Sequence, residues 1–460
     1  MNKLNIILST FCLSIATMSF VACDDDDDDS KDDVKGEKTE VPENPMPDGP
    51  TKPASDYELS DSPRSPKKSA KRGVAYNFKN YENADMQLLG DGISWFYNWG
   101  NSTSSKLAAA AAEYDLSYFP MCWNASFNQS SIASAVETYN SEYLLAFNEP
   151  NLTDQANMTP KQAAEKWPSV LEVAKANNLK IVSPAMNYGT LADYWDPIKW
   201  LDEFFTLINP DDIAAISVHC YMPNAAALKG YIDMFAKYGK PIWLTEFCAW
   251  DGFNGGESGQ REYLSEAVNY LEANPNVERY AWFIPRYTGG NDPKMQLIEG
   301  NSLTDRGLAY LGASTQDSRV YYLENQTIQA ARFVRCNASD MVKATDNYVA
   351  TPHYRPTTDE SSKAPLDIYH FGVNQWVEYQ IELEEEGEYD FNLRANPMVK
   401  TKLKISIDGE EIDESITLEN TNEWATKHTP LDLKEGKHTV RLTVESGNTA
   451  INYLRFLLLE

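Results

Sequence analysis

The 460-residue sequence predicts an α/β domain of the (β/α)8, or TIM-barrel, class followed by an all-β, jelly-roll-like sandwich. Three observations carry this prediction. Between about residues 71 and 315, short β-rich runs alternate with helical patterns, as parallel strands joined by helical crossovers require. The runs number eight, the count of a (β/α)8 barrel. From about Arg319 onward, strands of alternating polarity divided by turn signals replace the helical patterns.

The eight runs are RGVAYN from Arg72, SWFYNWG from Ser94, YFPMCW from Tyr118, LLAFNEP from Leu144, KIVSPAM from Lys180, AISVHCY from Ala215, PIWLTEF from Pro241 and RYAWFI from Arg279. Between the fourth and fifth, Thr159 and Pro160 stand where an N-cap and a first helical residue belong. Ala163, Ala164, Trp167, Val170, Leu171 and Ala174 follow at helical spacing. Pro168 within that stretch predicts a kink. A doubly wound open sheet normally has a Gly-rich phosphate loop after its first strand, and none follows Arg72–Asn77. In the C-terminal part, Trp376 to Leu383, Tyr389 to Arg394, Leu403 to Ile407 and His438 to Val444 alternate apolar and polar residues. Asp408 and Gly409 supply a turn signal. The α/β domain is expected over residues 71–315 and the sandwich over 318–460.

Ahead of these domains, MNKLNIILSTFCLSIATMSFVAC combines an early lysine with an apolar run from Leu4 to Val21, the pattern of a signal peptide over residues 1–22. Phe20, Val21 and Ala22 lead directly into Cys23, which resembles the lipobox of bacterial lipoproteins. The resemblance implies a diacylated Cys23 that anchors the chain to a membrane. Six aspartates, Asp24 to Asp29, form a block of like charge that stays solvated. An acidic run directly after the lipidated cysteine resembles the export signal of Bacteroidetes surface lipoproteins, implying a protein anchored in the outer membrane and facing the cell exterior. The segment 23–70 is rich in Pro, Asp, Ser, Lys and Glu and is expected to be a flexible tether.

The formal net charge of −28 disfavours nucleic acid and anionic membrane surfaces as partners, because both repel an acidic surface. A neutral polysaccharide meets no such barrier, and an aromatic content of 12% suits sugar binding as well as a packed core. Cys122, Cys220, Cys248 and Cys336 are too few and too scattered for a disulfide framework and read as buried thiols, with a Cys220–Cys248 pair left open. Without CxxC or His-rich spacing, no metal and no cofactor are expected, and the chain is expected to be a monomer.

In a (β/α)8 barrel the C-terminal strand ends face the active site, so polar residues closing each run carry the most weight. Glu149 closes the fourth run in FNEPN, and Glu246 closes the seventh in LTEF. The two strands lie across the barrel mouth from each other, where paired carboxyls about 5 Å apart would suit a retaining glycoside cleavage. An Asn-Glu on strand four with a Glu on strand seven resembles clan A of the glycoside hydrolases. That resemblance implies Glu149 as acid/base, Glu246 as nucleophile and Asn148 as the contact to a sugar 2-hydroxyl. His219 and Tyr221 close the sixth run, beside the nucleophile strand, where hydrogen bonds to Glu246 are expected.

WFYNWG, PMCWN, LLAFNEPN and LTEF together resemble glycoside hydrolase family 128, β-1,3-glucanases with a compact barrel; the likeness extends from Arg72 to Leu311 and includes NSLTDRGLAYL. It implies a retaining endo-β-1,3-glucanase acting on β-glucan. Trp282 resembles the clan's sugar-stacking tryptophan, while Tyr97, Trp99, Trp123 and Trp250 follow strand ends where aromatic faces pack on pyranose rings. The second run lacks the arginine of many clan A enzymes, a departure that favours family 128 over the wider clan as the source of expectations.

YYLENQT, NQWVEYQIEL, GEYDFNLRA and GKHTVRLTV resemble carbohydrate-binding modules of families 6 and 35, with Trp424 in NTNEWATK as the implied sugar platform. Ala450 in TAINYLRF replaces the usual ligand-binding asparagine, so a sugar-binding module and a structural sandwich both stand open. The competing readings of the whole chain are a non-catalytic surface glycan-binding lipoprotein and a clan A hydrolase of another β-glycan. A binding protein has no need of two buried carboxylates.

Overall fold

The computed structural model describes residues 68–78, 82–250, 253–287, 289, 292, 294–343, 349–413 and 415–459. The expected signal peptide, Cys23 and the tether up to residue 67 lie outside the described residues. From Arg72 the chain alternates β1 (Arg72–Ala75), α1 (Glu82–Leu89), β2 (Trp95–Tyr97), α2 (Ala108–Glu113), β3 (Ser117–Tyr118), α3 (Gln129–Tyr139), β4 (Tyr143–Leu145) and α4 (Pro160–Ala176). It continues through β5 (Lys180–Val182), α5 (Pro197–Leu207), β6 (Ile213–Cys220), α6 (Ala225–Phe235), β7 (Ile242–Phe247), α7 (Gly256–Ala273) and β8 (Val277–Phe283). A hairpin of β9 (Ile298–Glu299) and β10 (Ser302–Leu303) then leads into α8 (Asp305–Gly312), which Thr304 caps by accepting from Gly307 N. Each of the eight predicted runs overlaps a strand, the third by Tyr118 alone.

The strands form one parallel sheet in the order β3-β2-β1-β8-β7-β6-β5-β4. Its edges meet at a single bridge, Met121 with Leu145, through Cys122 N to Leu145 O (2.9 Å) and Leu145 N to Pro120 O (3.0 Å). Pro120 has no N–H to extend a ladder there. The predicted barrel is therefore a TIM-like curled sheet whose junction between β3 and β4 is a bridge rather than a ladder. Strand alternation sorts the side chains. Ala75, Trp95, Tyr97, Phe119, Tyr143, Trp243 and Ala281 fill the inside of the curl, with Trp243 ring centroids 5.5 Å from Trp95 and 4.7 Å from Tyr143. Their neighbours Val74, Phe96, Leu144, Leu244 and Trp282 pack outward against the helices.

Thr159 caps α4 in a reciprocal box with Gln162, and Pro160 is its first residue, as the sequence predicts. The helix continues through Pro168 to Ala176, its buried Trp167 packed edge-on against Phe204 at 5.2 Å. Tertiary packing holds the segment helical despite the proline.

The second part is built from β11 (Tyr322–Leu323), β12 (Ile328–Gln329), β13 (Arg335–Cys336), α9 (Ala338–Lys343), β14 (His353–Pro356), β15 (Leu366–Gly372) and β16 (Trp376–Leu383). It ends with β17 (Gly387–Pro397), β18 (Thr401–Ile407), β19 (Glu410–Glu411), β20 (Ile416–Leu418), β21 (Ala425–Leu433), β22 (Gly436–Ser446) and β23 (Asn448–Leu458). One sheet runs β11-β16-β22-β18-β19 and the other β14-β15-β23-β17-β21. The pairing is antiparallel apart from β11 with β16. Asp408 (φ +53°) and Gly409 (φ +90°) make the predicted two-residue turn between β18 and β19. Val377, Tyr379 and Ile381 of one sheet and Phe391, Leu393 and Phe456 of the other are buried in the same apolar core.

Helix α7 joins the two parts. Asn269, fully buried, donates to Thr351 Oγ1 (3.0 Å) and Pro352 O (2.8 Å) and accepts from the Tyr354 hydroxyl (2.5 Å), while Tyr354 N donates to Ser265 Oγ (3.0 Å). Cys122, Cys220, Cys248 and Cys336 are buried thiols, none in a disulfide, which closes the question of a Cys220–Cys248 pair.

Candidate active site

Two strand ends present the carboxylates. Leu144 of β4 and the following Ala146 and Phe147 are buried, and Asn148 N donates to Trp123 O (2.9 Å). Glu149 then adopts a left-handed backbone, φ +43°, a conformation that costs a non-glycine residue about 1–3 kcal/mol and is sustained only where neighbours fix it. The fixing contacts are Ala156 N to Asn148 O (3.1 Å), Leu152 N to Glu149 O (3.0 Å) and Met158 N to Pro150 O (2.8 Å).

Glu246 reaches the interior through a bulge. Leu244 pairs with Val218 and Glu246 with His219 on one side, while Leu244 pairs with Tyr280 and Phe247 with Trp282 on the other. Strand β7 thus holds one more residue than either neighbour, which shifts the alternation and turns Glu246 inward.

The carboxylates share one histidine. His219 Nδ1 lies 2.9 Å from Glu149 Oε1 and 3.4 Å from Glu246 Oε2, and one donor atom from each of the three residues falls within 4.8 Å of the others. Asn187 Nδ2 also donates to Glu149 Oε1 (3.0 Å). Glu246 accepts from the Tyr97 hydroxyl at Oε1 (2.8 Å), from Trp99 Nε1 at Oε1 (2.7 Å) and from the Tyr221 hydroxyl at Oε2.

Burial pushes the Glu246 carboxyl above its ordinary range, and the charge of Glu149 pushes the same way; His219 and the Tyr221 and Trp99 donors pull back. Burial would lower the His219 imidazole, but the charges of Glu246 and Glu149 leave it raised. Burial, reinforced by the Glu246 charge, holds the Tyr97 and Tyr221 phenols well above their usual range, so both remain hydrogen-bond donors. The spacing of Glu149, His219 and Glu246 would also admit a cation. With Tyr97, Tyr221 and Trp99 all aiming donor hydrogens at Glu246, the field instead suits a carboxylate anion.

Several sequence expectations change here. Tyr97 and Trp99, expected as stacking faces, are hydrogen-bond donors to Glu246, and Tyr97 is fully buried. His219, expected to bond Glu246, makes its shorter contact with Glu149. Trp282 presents no face to a sugar. It is fully buried on the helix side of β8, packed against Phe247 at 5.0 Å, and its indole donates to Met295 O (2.8 Å). The alternation that turns Trp282 outward turns Phe283 inward, 5.3 Å from Tyr221 and 5.9 Å from Trp99.

Trp123 and Trp250 are half-buried at the rim, Trp250 6.1 Å from both Tyr221 and Phe283. Asn148 is buried; its Nδ2 donates to Gln155 Oε1 (3.1 Å) and its Oδ1 has no partner. Trp424 belongs to the β domain, where its indole donates to Thr358 Oγ1 (3.0 Å), and it is not brought to the carboxylates.

Asn187, the residue directly after the fifth run, joins the site although no motif in the sequence marks it. Beyond it, Tyr188 and Trp195 stack with centroids 6.1 Å apart and planes at 14°, and are 40% and 64% exposed. Both belong to the long connection between β5 and α5.

Comparison with known proteins bears on this geometry. Residues 355–457 match the model for carbohydrate binding module (family 6). The alkali-sensitive linkage protein 1 of Schizosaccharomyces pombe is 31% identical over 226 residues, 47% of this chain; the chain spans 39% of that relative's length. The similar solved structures include two endo-β-1,3-glucanases of glycoside hydrolase family 128, subgroup II. The one from Pseudomonas viridiflava is 36% identical with a TM-score of 0.49, covering 55% of this chain and 99% of its own. The one from Sorangium cellulosum is 33% identical with a TM-score of 0.48, covering 52% and 97%. Residues 73–310, which include both carboxylates, match the model for the glycosyl hydrolase catalytic core, and the chain belongs to that family of glycoside hydrolases.

Proposed function

We propose that this protein is a retaining endo-β-1,3-glucanase that degrades extracellular β-glucan from a lipid anchor at Cys23. The observation that carries the mechanism is the carboxylate pair: oxygens of Glu149 and Glu246 lie within 4.8 Å of each other, close to the about 5–5.5 Å spacing of retaining enzymes and short of the gap that inverting enzymes leave for water.

In this reading Glu149 donates its proton to the glycosidic oxygen as the bond from C1 to that oxygen breaks. Glu246 forms the new bond to C1, giving a covalent glycosyl-enzyme. Glu149, now ionised, takes a proton from water. The resulting hydroxide equivalent attacks C1 and releases Glu246. Asn187 and His219 both engage Glu149 at Oε1, so Oε2 is the oxygen that addresses the sugar. Tyr97, Trp99 and Tyr221 hold Glu246 oriented and favour its ionised state. Asn148, with an unpartnered buried oxygen, binds the 2-hydroxyl, and Trp123, Trp250 and Phe283 line the apolar rim.

The β-1,3 linkage and the endo mode rest on the WFYNWG, PMCWN, LLAFNEPN and LTEF resemblance to family 128. Product chromatography tests both. Incubation with linear β-1,3-glucan should yield a ladder of short oligosaccharides, and a β-1,4-glucan control should yield none. Glucose alone would overturn the endo assignment, and products from the control alone would overturn the linkage.

A further inference from the structure

A second cluster of ligand-type side chains lies where α7 meets the β domain, away from the reacting carboxylates. Glu262 stands on α7, His353 opens β14, and His370 lies near the end of β15. One donor atom from each falls within 4.8 Å of the others. We propose that Glu262, His353 and His370 bind a Zn2+ ion that clips α7 to the β14–β15 hairpin.

The state of His353 is the strongest argument. Its Nε2 is 3.0 Å from Glu266 Oε1, one helical turn beyond Glu262. A carboxylate accepts from that nitrogen, so Nε2 carries the proton and Nδ1 of the neutral ring keeps a lone pair. Nδ1 is buried and has no hydrogen-bond partner, on a residue only 9% exposed. A buried acceptor without a partner is costly in a purely structural role. A histidine held by a carboxylate through one nitrogen and open at the other is the arrangement that orients a zinc ligand.

His370 is placed to complete the set. Between Ile368 and Phe371, β15 carries one residue more than its partner β23, and His370 takes the left-handed backbone, φ +51°. This bulge sets its ring 5.4 Å from that of His353, at 62°, with Nδ1 3.9 Å from Glu262 Oε1.

Two guanidiniums lie nearby, both against the Tyr369 ring, but Arg261 pairs with Asp305 at 3.1 Å and Arg355 with Asp367 at 3.2 Å. Those charges cancel in pairs, so Glu262 and Glu266 leave the site net negative. The His370 and Glu262 side chains are 44% and 36% exposed, which gives an ion a path from solvent. Tetrahedral Zn2+ with bonds of about 2.0–2.2 Å places its donors roughly 3.4 Å apart, so the set must contract by about 1 Å. Torsion of the two exposed side chains supplies that movement, and water fills the fourth position. Two imidazoles and one carboxylate suit this borderline ion better than Mg2+ or Ca2+.

The test is calorimetric titration of the purified full chain, stripped with a chelator, with Zn2+ alone, alongside thermal melts at rising Zn2+. We expect one Zn2+ per chain and a midpoint that climbs with Zn2+ concentration. His370→Ala and Glu262→Gln, both at exposed side chains and expected to fold, should each weaken Zn2+ binding roughly tenfold or more by removing a ligand. Glu246→Gln should leave the titration unchanged, which separates this site from the catalytic cluster. Absence of binding in the wild type, wild-type binding in both ligand variants, or loss of binding in Glu246→Gln would each overturn the proposal.

Discussion

Replacing Tyr221 with phenylalanine isolates the step in which Glu246 must be an anion. Burial and the charge of Glu149 both favour the protonated carboxyl, and the Tyr221 hydroxyl is one of the donors that oppose them. Phenylalanine keeps the ring contacts with Phe283 (5.3 Å) and Trp250 (6.1 Å), so the cavity wall is preserved. A hydrogen bond to a charged group contributes about 1.5–3 kcal/mol, and a tenfold change in rate corresponds to about 1.4 kcal/mol. The loss in kcat/KM is therefore about tenfold to a hundredfold where ionisation of Glu246 limits the rate. The sign follows from the cause: without the donor, Glu246 holds its proton to higher pH, so the acid limb of the profile moves upward. At pH above that limb the deficit should shrink. The assay is kcat/KM against pH on a soluble β-1,3-gluco-oligosaccharide, with thermal melts to confirm folding. A folded Tyr221→Phe enzyme with an unmoved acid limb and unchanged kcat/KM would refute the role given to this contact.

Glu149→Gln and Glu246→Gln should each nearly abolish turnover while leaving the melting curve within a few degrees of wild type; near-native activity in either would remove that residue from the mechanism. Asn269→Ala should destabilise the junction between the domains by about 2–5 kcal/mol, because it strands the Pro352 carbonyl and the Tyr354 hydroxyl proton, read as a lower urea midpoint. A midpoint equal to wild type would mean that this buried amide is dispensable. Cys23→Ser should move the protein from the membrane fraction to the soluble fraction on immunoblots, and unchanged fractionation would dismiss the lipid anchor.

Much of this architecture is legible in residue order because hydrophobic runs and helix caps act locally. RGVAYN, AISVHCY and PIWLTEF each become a strand, and Thr159 with Pro160 starts α4. The carboxylates are legible too, since strand ends in such a sheet converge on one face. What escapes is set by contacts remote in sequence. The bond from Trp99 Nε1 to Glu246 joins residues 147 apart and arises only when the sheet curls. No periodicity announces the bulge in β7, although without it Glu246 would face the helices. Trp282 is the instructive reversal: in RYAWFI, Tyr280 and Trp282 share one face and Ala281 and Phe283 the other, so alternation already opposed the role suggested by resemblance. Pro120 in the third run likewise marked the junction where the ladder gives way to a bridge.

The measurement that reaches the central claim most directly is a proton NMR time course of a laminari-oligosaccharide with the enzyme, followed at the newly formed anomeric carbon before mutarotation. If Glu246 attacks C1 and water later displaces it, both steps invert and the first signal is the β-anomer. Initial appearance of the α-anomer would mean that water attacks directly, and the covalent mechanism assigned to Glu149 and Glu246 would fall.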